Sequence, residues 1–301
     1  MQRIRMSRRG FTMIELLVAL TLLGLVSAAL YRVLVNNQRL YMAQTQRIDL
    51  SQNIRAAANI LPAEFRELDA TDGDIAAMSA TSIQIRAMRW LSFVCAAPVL
   101  AGVNNGLTMT IHGGQVGQPM FFGSRGINTA TDSVLIYLDG DQTTRNDDYF
   151  VPALPTAAVA LTCPPVGAGA AQPGTQVTFN GNFIAGTNVA NAITVGAPVW
   201  GFERVTYQLY QPAGDTHWYI GFQPAGGTMQ PLIGPVLANG LSFAYYDVNG
   251  NVTAVRTQVA RIDITVRAQT AVAVRAGGQA PAAQIVDSIT TSVALRNNRR
   301  F

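Results

Sequence analysis

A long apolar run near the N-terminus constrains this chain more than any other feature. Residues 16–30 carry no charge, and the uncharged stretch continues back to Phe11 with Glu15 as its one charged member. The segment from Phe11 to Tyr31 has 21 residues. As a helix it is long enough to cross a bilayer core of roughly 30 Å, at about 1.5 Å per residue. The sequence therefore predicts a membrane-spanning helix.

The distribution of arginine predicts the orientation of this helix. The chain contains no lysine, and four of its 21 basic residues lie within the first ten positions. Basic residues stay on the cytoplasmic side of a membrane helix, so we expect the rest of the chain outside the cytoplasm. From residue 11 onward, 17 arginines balance 17 acidic residues. Since this balance gives no net positive surface for phosphate contacts, we expect no nucleic-acid partner.

Glu15 distinguishes two interpretations of the N-terminal segment. A cleaved secretory signal peptide has the same basic and apolar regions, and Val26-Ser27-Ala28 offers the small residues of a cleavage site. A carboxylate at the centre of a membrane helix costs about 2.5–3.5 kcal/mol, and somewhat less near the helix end. In an ordinary signal peptide nothing would offset this cost. In a retained helix, a partner for the carboxylate would offset it. Glu15 therefore favours a retained helix.

Residues 8–18, with the sequence RRGFTMIELLV, resemble the leader of type IV pilins and type II secretion pseudopilins. The resemblance implies that a prepilin peptidase cuts after Gly10, on the cytoplasmic side, and N-methylates Phe11. It also implies that Glu15, then the fifth residue, pairs with the N-terminal amine of a neighbouring subunit during filament assembly. Such a pair is physically reasonable because two opposite charges that lack water offset each other's desolvation.

The helix is predicted to continue beyond the membrane. Six apolar residues recur at spacings of three and four, which indicates one face of an α-helix: Leu50, Ile54, Ala58, Leu61, Phe65 and Leu68. Pro62 is expected to kink this helix, because proline lacks the N–H that a helix interior uses. We divide the segment into a leader at 1–10, a transmembrane and assembly helix at 11–35, and an amphipathic continuation at 36–70.

Residues 71–301 are predicted to form one β-rich body. Apolar and polar residues alternate in short runs, as they do in strands with one buried face. The alternating runs lie at 83–87, 107–111, 205–209, 262–266 and 289–295. The run at 134–138 is predicted to be a buried strand, and 218–222 and 241–246 are further candidates. Clusters of Gly, Pro and Asn separate them and predict turns. The predicted fold class is α+β, with one long N-terminal helix packed on a mostly antiparallel, pilin-like body.

The only two cysteines, Cys95 and Cys163, are expected to form a disulfide. The body is predicted to lie outside the cytoplasm, where disulfides persist. The alternative is two unpaired, buried thiols. A zinc site is not expected, because the chain has no C-x-x-C or H-x₃-H spacing and His112 and His217 are isolated in the sequence.

The run from 139 to 148 is the most acidic part of the chain and is a candidate calcium site. Its oxygen-bearing residues alternate and are then followed by two acids, which suits Ca²⁺, a hard cation that prefers carboxylate and carbonyl ligands. The run departs from an EF-hand, since Phe150 stands where that motif has glutamate. The alternative is a solvated hairpin loop. The candidate ligands are Asp139, Asp141, Thr143, Asp147 and Asp148.

A second acidic segment, Asp247 to Asn251, contains an Asn-Gly pair between two strand-like runs, 241–246 and 252–255. Asn-Gly at such a place is a strong signal for a tight hairpin. We expect a plain turn here, with a cation site as the alternative.

No catalytic motif accompanies these features: the chain has no G-x-S-x-G, no phosphate-binding loop and no histidine at a recognisable spacing from a nucleophile. We expect a non-enzymatic subunit of a filament. Removal of the leader would leave 291 residues, which is large for a bulk subunit and favours a minor pilin of the PilW kind that joins or primes a type IV pilus.

Three alternatives stay open. The first is a type II secretion pseudopilin of the GspJ kind. The others are a surface adhesin or DNA-uptake pilin, and a secreted β-protein with an ordinary signal peptide. The expected partners are other pilin or pseudopilin subunits, the prepilin peptidase and the inner membrane. The body would lie in the periplasm or outside the cell.

Overall fold

The computed structural model describes residues 12–101, 106–113, 122–123, 125–139, 143–144, 148–165, 167, 169–180, 192–275 and 281–296. Within these ranges a single α-helix, α1, precedes twelve strands. The helix is Met13–Arg66. The strands are β1 Ile75–Met78, β2 Ser82–Ala101, β3 Gly106–His112, β4 Phe122–Gly123, β5 Asp132–Leu138, β6 Tyr149–Cys163, β7 Gln172–Asn180, β8 Pro198–Tyr210, β9 Trp218–Gln223, β10 Gln230–Tyr246, β11 Arg261–Gln269 and β12 Val286–Ala294.

Helix α1 has 54 residues and is therefore about 80 Å long. One face of its C-terminal part is buried against the body: Leu50, Ile54, Ala57, Leu61, Pro62 and Phe65. The sequence placed Ala58 on this face, but Ala57 is the buried alanine, because the spacing runs three residues from Ile54 and then four to Leu61. Leu68 is buried just beyond the end of the helix. The helix continues through Pro62 to Arg66.

Six strands of the body form a closed ring of antiparallel pairs. In order around the ring, β2 pairs with β3, then β7, β6, β5 and β8 follow, and β8 pairs with β2. The ring encloses one of two apolar cores. Its members include Trp90, Met109, Ile136, Phe179 and Val199. We call this six-stranded unit the barrel.

The other core lies between α1 and an open sheet. The long strands β2 and β8 extend out of the barrel into this sheet, which continues through β9, β10, β11 and β12. Phe65 of the helix meets Tyr207 and Phe243 edge-on, with ring centroids 5.7 and 5.9 Å apart. The structure confirms the predicted fold class, a long N-terminal helix followed by a mostly antiparallel sheet.

The strand predictions differ from the structure in several places. Four strands were not predicted: β1, β4, β6 and β7, of which β6 and β7 complete the barrel. The predicted strand at 252–255 is absent: Val252 makes an isolated bridge to Tyr246, and a 3-10 turn follows at Arg256–Gln258.

Candidate functional site: the N-terminal helix and its attachment

The start of α1 is held by a reciprocal pair of hydrogen bonds between Thr12 and Glu15. The backbone N–H of Glu15 donates to Thr12 Oγ1 at 3.3 Å, and the backbone N–H of Thr12 donates to Glu15 Oε2 at 3.2 Å. This capping box satisfies two N–H groups that a helix start otherwise leaves unpaired. Glu15 therefore has a local structural role as well as the predicted role in assembly. Gly10 and Phe11 lie outside the described residues.

The N-terminal part of α1 projects from the body with its apolar side chains exposed. The large hydrophobic residues that are exposed along it run from Met13 to Ile48. Among the described residues, α1 is the one helix long and apolar enough to cross a membrane. The apolar surface from Met13 to Tyr31 is unfavourable in water and needs lipid or other apolar helices around it. We call residues 13–45, which precede the first hydrogen bond to the body, the free segment of α1.

Side-chain and backbone hydrogen bonds attach the rest of α1 to the body. Asn53 Nδ2 donates to the carbonyl of Gly234 at 2.8 Å. Gln46 Oε1 accepts the backbone N–H of Ala271 at 3.1 Å. At the end of the helix, the backbone N–H of Arg296 donates to the carbonyl of Arg66 at 2.8 Å. The attachment therefore begins at Gln46 and continues to the last turn.

A chain of charged side chains also connects α1 with the barrel. Arg89 on β2 contacts Glu64 of the helix and Glu203 of β8, each at 3.1 Å. Arg125 continues the chain, with Nη2 3.3 Å from Glu203 Oε2 and Nη1 2.9 Å from Asp132 Oδ2. Although burial opposes the charged form of Arg89, the carboxylates of Glu64 and Glu203 raise its pKa above the ordinary value. The hydrogen bond to Asp132 does the same for the pKa of Arg125. We call these five residues the charge chain.

Cys95 and Cys163 form a disulfide in the structure, with Cα atoms 5.5 Å apart. The bond joins β2 to the end of β6 and so crosses one end of the barrel. His112, which is isolated in the sequence, lies beside it: one of its ring nitrogens and both sulfurs are within 4.8 Å of one another. No sequence spacing indicated this cluster, because its three residues come from three different strands.

The structure describes three of the five candidate calcium ligands. Asp139, Thr143 and Asp148 fall within the described residues, whereas Asp141 and Asp147 lie outside them. Asp139 directly follows β5, and its backbone N–H donates to the carbonyl of Ala192 at 2.9 Å. Asp148 Oδ1 is buried and accepts no hydrogen bond from the described residues. The calcium site stays a prediction.

The segment from Asp247 to Asn251 is a turn held by its own hydrogen bonds. Asp247 Oδ1 accepts the backbone N–H groups of Asn249 at 2.9 Å and Asn251 at 2.8 Å. Gly250 has a φ of +82°, which few other residues adopt without strain. The bonds from the Asn251 and other turn N–H groups lower the pKa of Asp247. These contacts describe the plain turn that we expected.

Comparison with known proteins identifies the N-terminal segment. Residues 5–31 match the model of the prokaryotic N-terminal methylation motif. No curated protein and no solved structure matches the chain. The match includes Gly10, Phe11 and Glu15 and confirms the prepilin-like N-terminus that the sequence predicts. Together with the long apolar helix, it supports a membrane-anchored protein of the type IV pilin or pseudopilin kind, which implies other such subunits and a prepilin peptidase as partners.

Proposed function

Because residues 5–31 match the prokaryotic N-terminal methylation motif, we propose that the chain is a non-enzymatic minor pilin of the PilW kind. It would enter or prime a type IV pilus-like filament through its N-terminal helix. The observation that carries the proposal is the continuity of the motif with an apolar helix whose N-terminal part, the free segment, projects from the body with its large apolar side chains exposed. Before assembly this segment would span the inner membrane, with the body in the periplasm; in the filament it would pack against other subunits.

The size of the body supports a minor rather than a bulk subunit. In the part of the chain that the structure describes, twelve strands follow α1, and six of them form the barrel. A bulk subunit repeats along the filament at the spacing of its packed helices, so a large body crowds its neighbours. At a filament tip this restriction is weaker. A type II secretion pseudopilin of the GspJ kind has the same motif and is the second candidate.

A chromosomal deletion separates the two candidates. A minor pilin that primes a pilus predicts loss of surface pili with normal protein secretion. A pseudopilin predicts the opposite: loss of secreted enzymes from the medium with normal pili. Complementation by the intact gene is the control in both assays.

We propose that the carboxylate of Glu15 makes the assembly contact. Because Glu15 also caps the helix, substitutions are needed that separate the effect of its negative charge from the effect of its capping hydrogen bond. Glu15→Gln keeps a side chain that completes a capping box but removes the negative charge. Glu15→Ala removes both, and Thr12→Ala removes the cap while it keeps the charge. If the charge pairs with a neighbour's N-terminal amine, Glu15→Gln and Glu15→Ala will be processed normally but will be largely missing from sheared filaments.

The pattern across the three variants decides the role of Glu15. Thr12→Ala should enter filaments nearly as well as the unmodified chain. If Glu15→Gln enters filaments normally while Glu15→Ala and Thr12→Ala do not, Glu15 is a helix cap and the proposed assembly contact is wrong. Cleavage of each variant is measured by mass spectrometry of the membrane fraction, so that a processing defect is not mistaken for an assembly defect.

We also propose calcium binding at the acidic run, supported by the buried Oδ1 of Asp148, which has no hydrogen-bond partner among the described residues. A chelator should lower the melting temperature of the purified chain, and added Ca²⁺ should restore it. Asp148→Asn should abolish the response to calcium. If the melting temperature does not change with chelator or calcium, the acidic run does not bind calcium and is a solvated loop.

A further inference from the structure

Three side chains that commonly bind metals meet at one end of the barrel. They are Cys95 of β2, His112 at the end of β3 and Cys163 at the end of β6. The two sulfurs and one ring nitrogen of His112 lie within 4.8 Å of one another. Cys95 and Cys163 are only 8% and 0% exposed, whereas His112 is partly exposed. The cluster is therefore sheltered from water on the cysteine side and accessible from the histidine side.

The β-ladders hold these three residues in place independently of the disulfide. His112 and Cys163 lie opposite Gly174 and Gln172 of β7, which pairs with both of their strands. The pairing of β2 with β3 shifts register between residues 94 and 96, so the extra residue is Cys95 itself. Such a bulge changes the direction of a side chain within a strand.

Two further contacts shape the cluster. The hydroxyl of the buried Ser92 donates to the carbonyl of His112, which ties the end of β3 to β2. Gly174 leaves room next to Cys163: a Cβ at this position would lie 2.9 Å from Cys163 Sγ. The backbone that carries the three ligands is thus fixed by main-chain pairing and by one side-chain bond, and a glycine provides space between them.

We propose that Cys95, Cys163 and His112 bind a zinc ion when the two cysteines are in the dithiol state. Zinc prefers tetrahedral sites of sulfur and nitrogen ligands, at about 2.3 Å from sulfur and about 2.0 Å from nitrogen. Two thiolates on one such ion are about 3.8 Å apart. The two side chains can reach this separation after reduction while their Cα atoms stay 5.5 Å apart. Water would fill the fourth position, on the side where His112 is partly exposed.

Metal binding and disulfide formation exclude each other, since both use the same two sulfurs. The newly made chain carries two thiols, and the ion displaces one proton from each when it binds. Before the oxidised chain can bind the ion, a two-electron reductant must break its disulfide. A trialkylphosphine with water serves: the S–S bond breaks, each sulfur gains one electron and one proton, and the phosphine becomes a phosphine oxide. The zinc form would therefore precede the disulfide. A disulfide of an oxidising protein would take up the two electrons and, with two protons from water, become two thiols. The Cys95–Cys163 bond would form and the ion would be released.

The test is a cobalt titration of the full chain in detergent, since tetrahedral Co²⁺ reports its ligands by absorption. Phosphine-reduced protein should bind one equivalent, with the bands of a tetrahedral ion and a thiolate-to-cobalt charge-transfer band, and Zn²⁺ should displace the cobalt. The oxidised protein should show neither band. His112→Gln should weaken binding by about tenfold or more, because even the loss of a residue that supports a ligand has an effect of this size.

The second histidine provides a matched control. The chain has only two histidines, and His217 lies outside the cluster, so His217→Gln should bind cobalt like the unmodified chain. A Cys95→Ser and Cys163→Ser double variant should lose the charge-transfer band. The proposal is overturned if the reduced protein does not bind. It is also overturned if His112→Gln and His217→Gln bind alike, which is the result expected when two thiols of an unfolded chain hold the metal.

Discussion

At the scale of single residues, the closest packing in the barrel is between Trp90 and Gly201. Trp90 is buried, and its indole N–H donates to Asp132 Oδ2 at 3.0 Å. Gly201 lies opposite Trp90 in the pairing of β2 with β8. A Cβ at position 201 would lie 1.9 Å from the indole ring, so only glycine allows the tryptophan to lie here.

Gly201→Ala should therefore destabilise the chain by about 1–3 kcal/mol or more, the usual cost of forcing extra atoms into a packed core. The measurement is chemical denaturation in detergent, followed by tryptophan fluorescence. Gly24→Ala is the control, because a Cβ there meets no atom within 4 Å and alanine favours a helix. An unchanged unfolding midpoint for Gly201→Ala would contradict this account of the packing.

A second feature at this scale is His217, whose ring connects the loop after β8 with the segment that contacts α1. His217 Nδ1 lies 3.0 Å from Asp215 Oδ1, and Nε2 lies 3.0 Å from the carbonyl of Ala271. Both neighbours are acceptors, so the doubly protonated ring satisfies both contacts. The carbonyl of Ala271 and then the carboxylate of Asp215 raise the pKa of His217 above 6.5. Ala271 is also the residue whose N–H contacts Gln46 of the helix.

This arrangement predicts that the chain loses stability as the pH rises above about 6.5, through the raised pKa of His217. Because the pKa of His217 is raised in the folded state, its contribution is complete below about pH 6.5 and is lost as the pH rises through the folded pKa. The pKa of Asp215 is lowered, chiefly by the backbone N–H of His217, so its contribution is lost only as the pH falls below 3.8.

Melting temperatures between about pH 5 and pH 8 provide the measurement. The decrease on the alkaline side should shrink in His217→Gln and persist in His112→Gln. Equal pH profiles for the unmodified chain and His217→Gln would contradict the assignment.

At the scale of elements, α1 has two parts with different environments. Leu61 is 0% exposed and packs in the core shared with the sheet, whereas Leu40 is 57% exposed on the free segment. The same type of residue therefore serves folding at one position and is available to lipid or other subunits at the other.

Leucine-to-alanine changes should separate these roles. Leu61→Ala should cost about 2–5 kcal/mol of folding stability, because it removes buried contacts and leaves a cavity. Leu40→Ala should change the stability of the purified chain by less than about 0.5 kcal/mol. Denaturant titration of both variants in the same detergent makes the comparison. Equal effects would mean that α1 is not attached to the body as described.

The elements also show which parts of the fold the sequence could predict. The strands around Ile83 and Ile264 alternate regularly and were predicted, because each has one buried face. Strand β6 was not, since it contains Pro152 and Pro155 and changes neighbours along its length, from β5 to β7. The prepilin-like N-terminus was predictable from local sequence. The barrel, the charge chain and the position of His112 were not, because they depend on strand pairing between distant segments.

At the scale of the whole molecule, the chain is a membrane-type helix rigidly continued into a β-rich body. The attachment from Gln46 to Arg66 and the charge chain couple the helix to both the open sheet and the barrel. A force or displacement at the free segment is therefore passed to the body through many contacts rather than through a flexible linker. This is the construction that a filament subunit needs, since its helix assembles while its body remains outside.

The most direct test of this account is the N-terminus of the native protein, determined by mass spectrometry of the membrane or filament fraction. The account predicts a chain that begins at N-methylated Phe11. A chain that begins near Ala29 would show an ordinary signal peptide. It would remove most of the free segment and Glu15 from the mature protein, and with them the filament role proposed here.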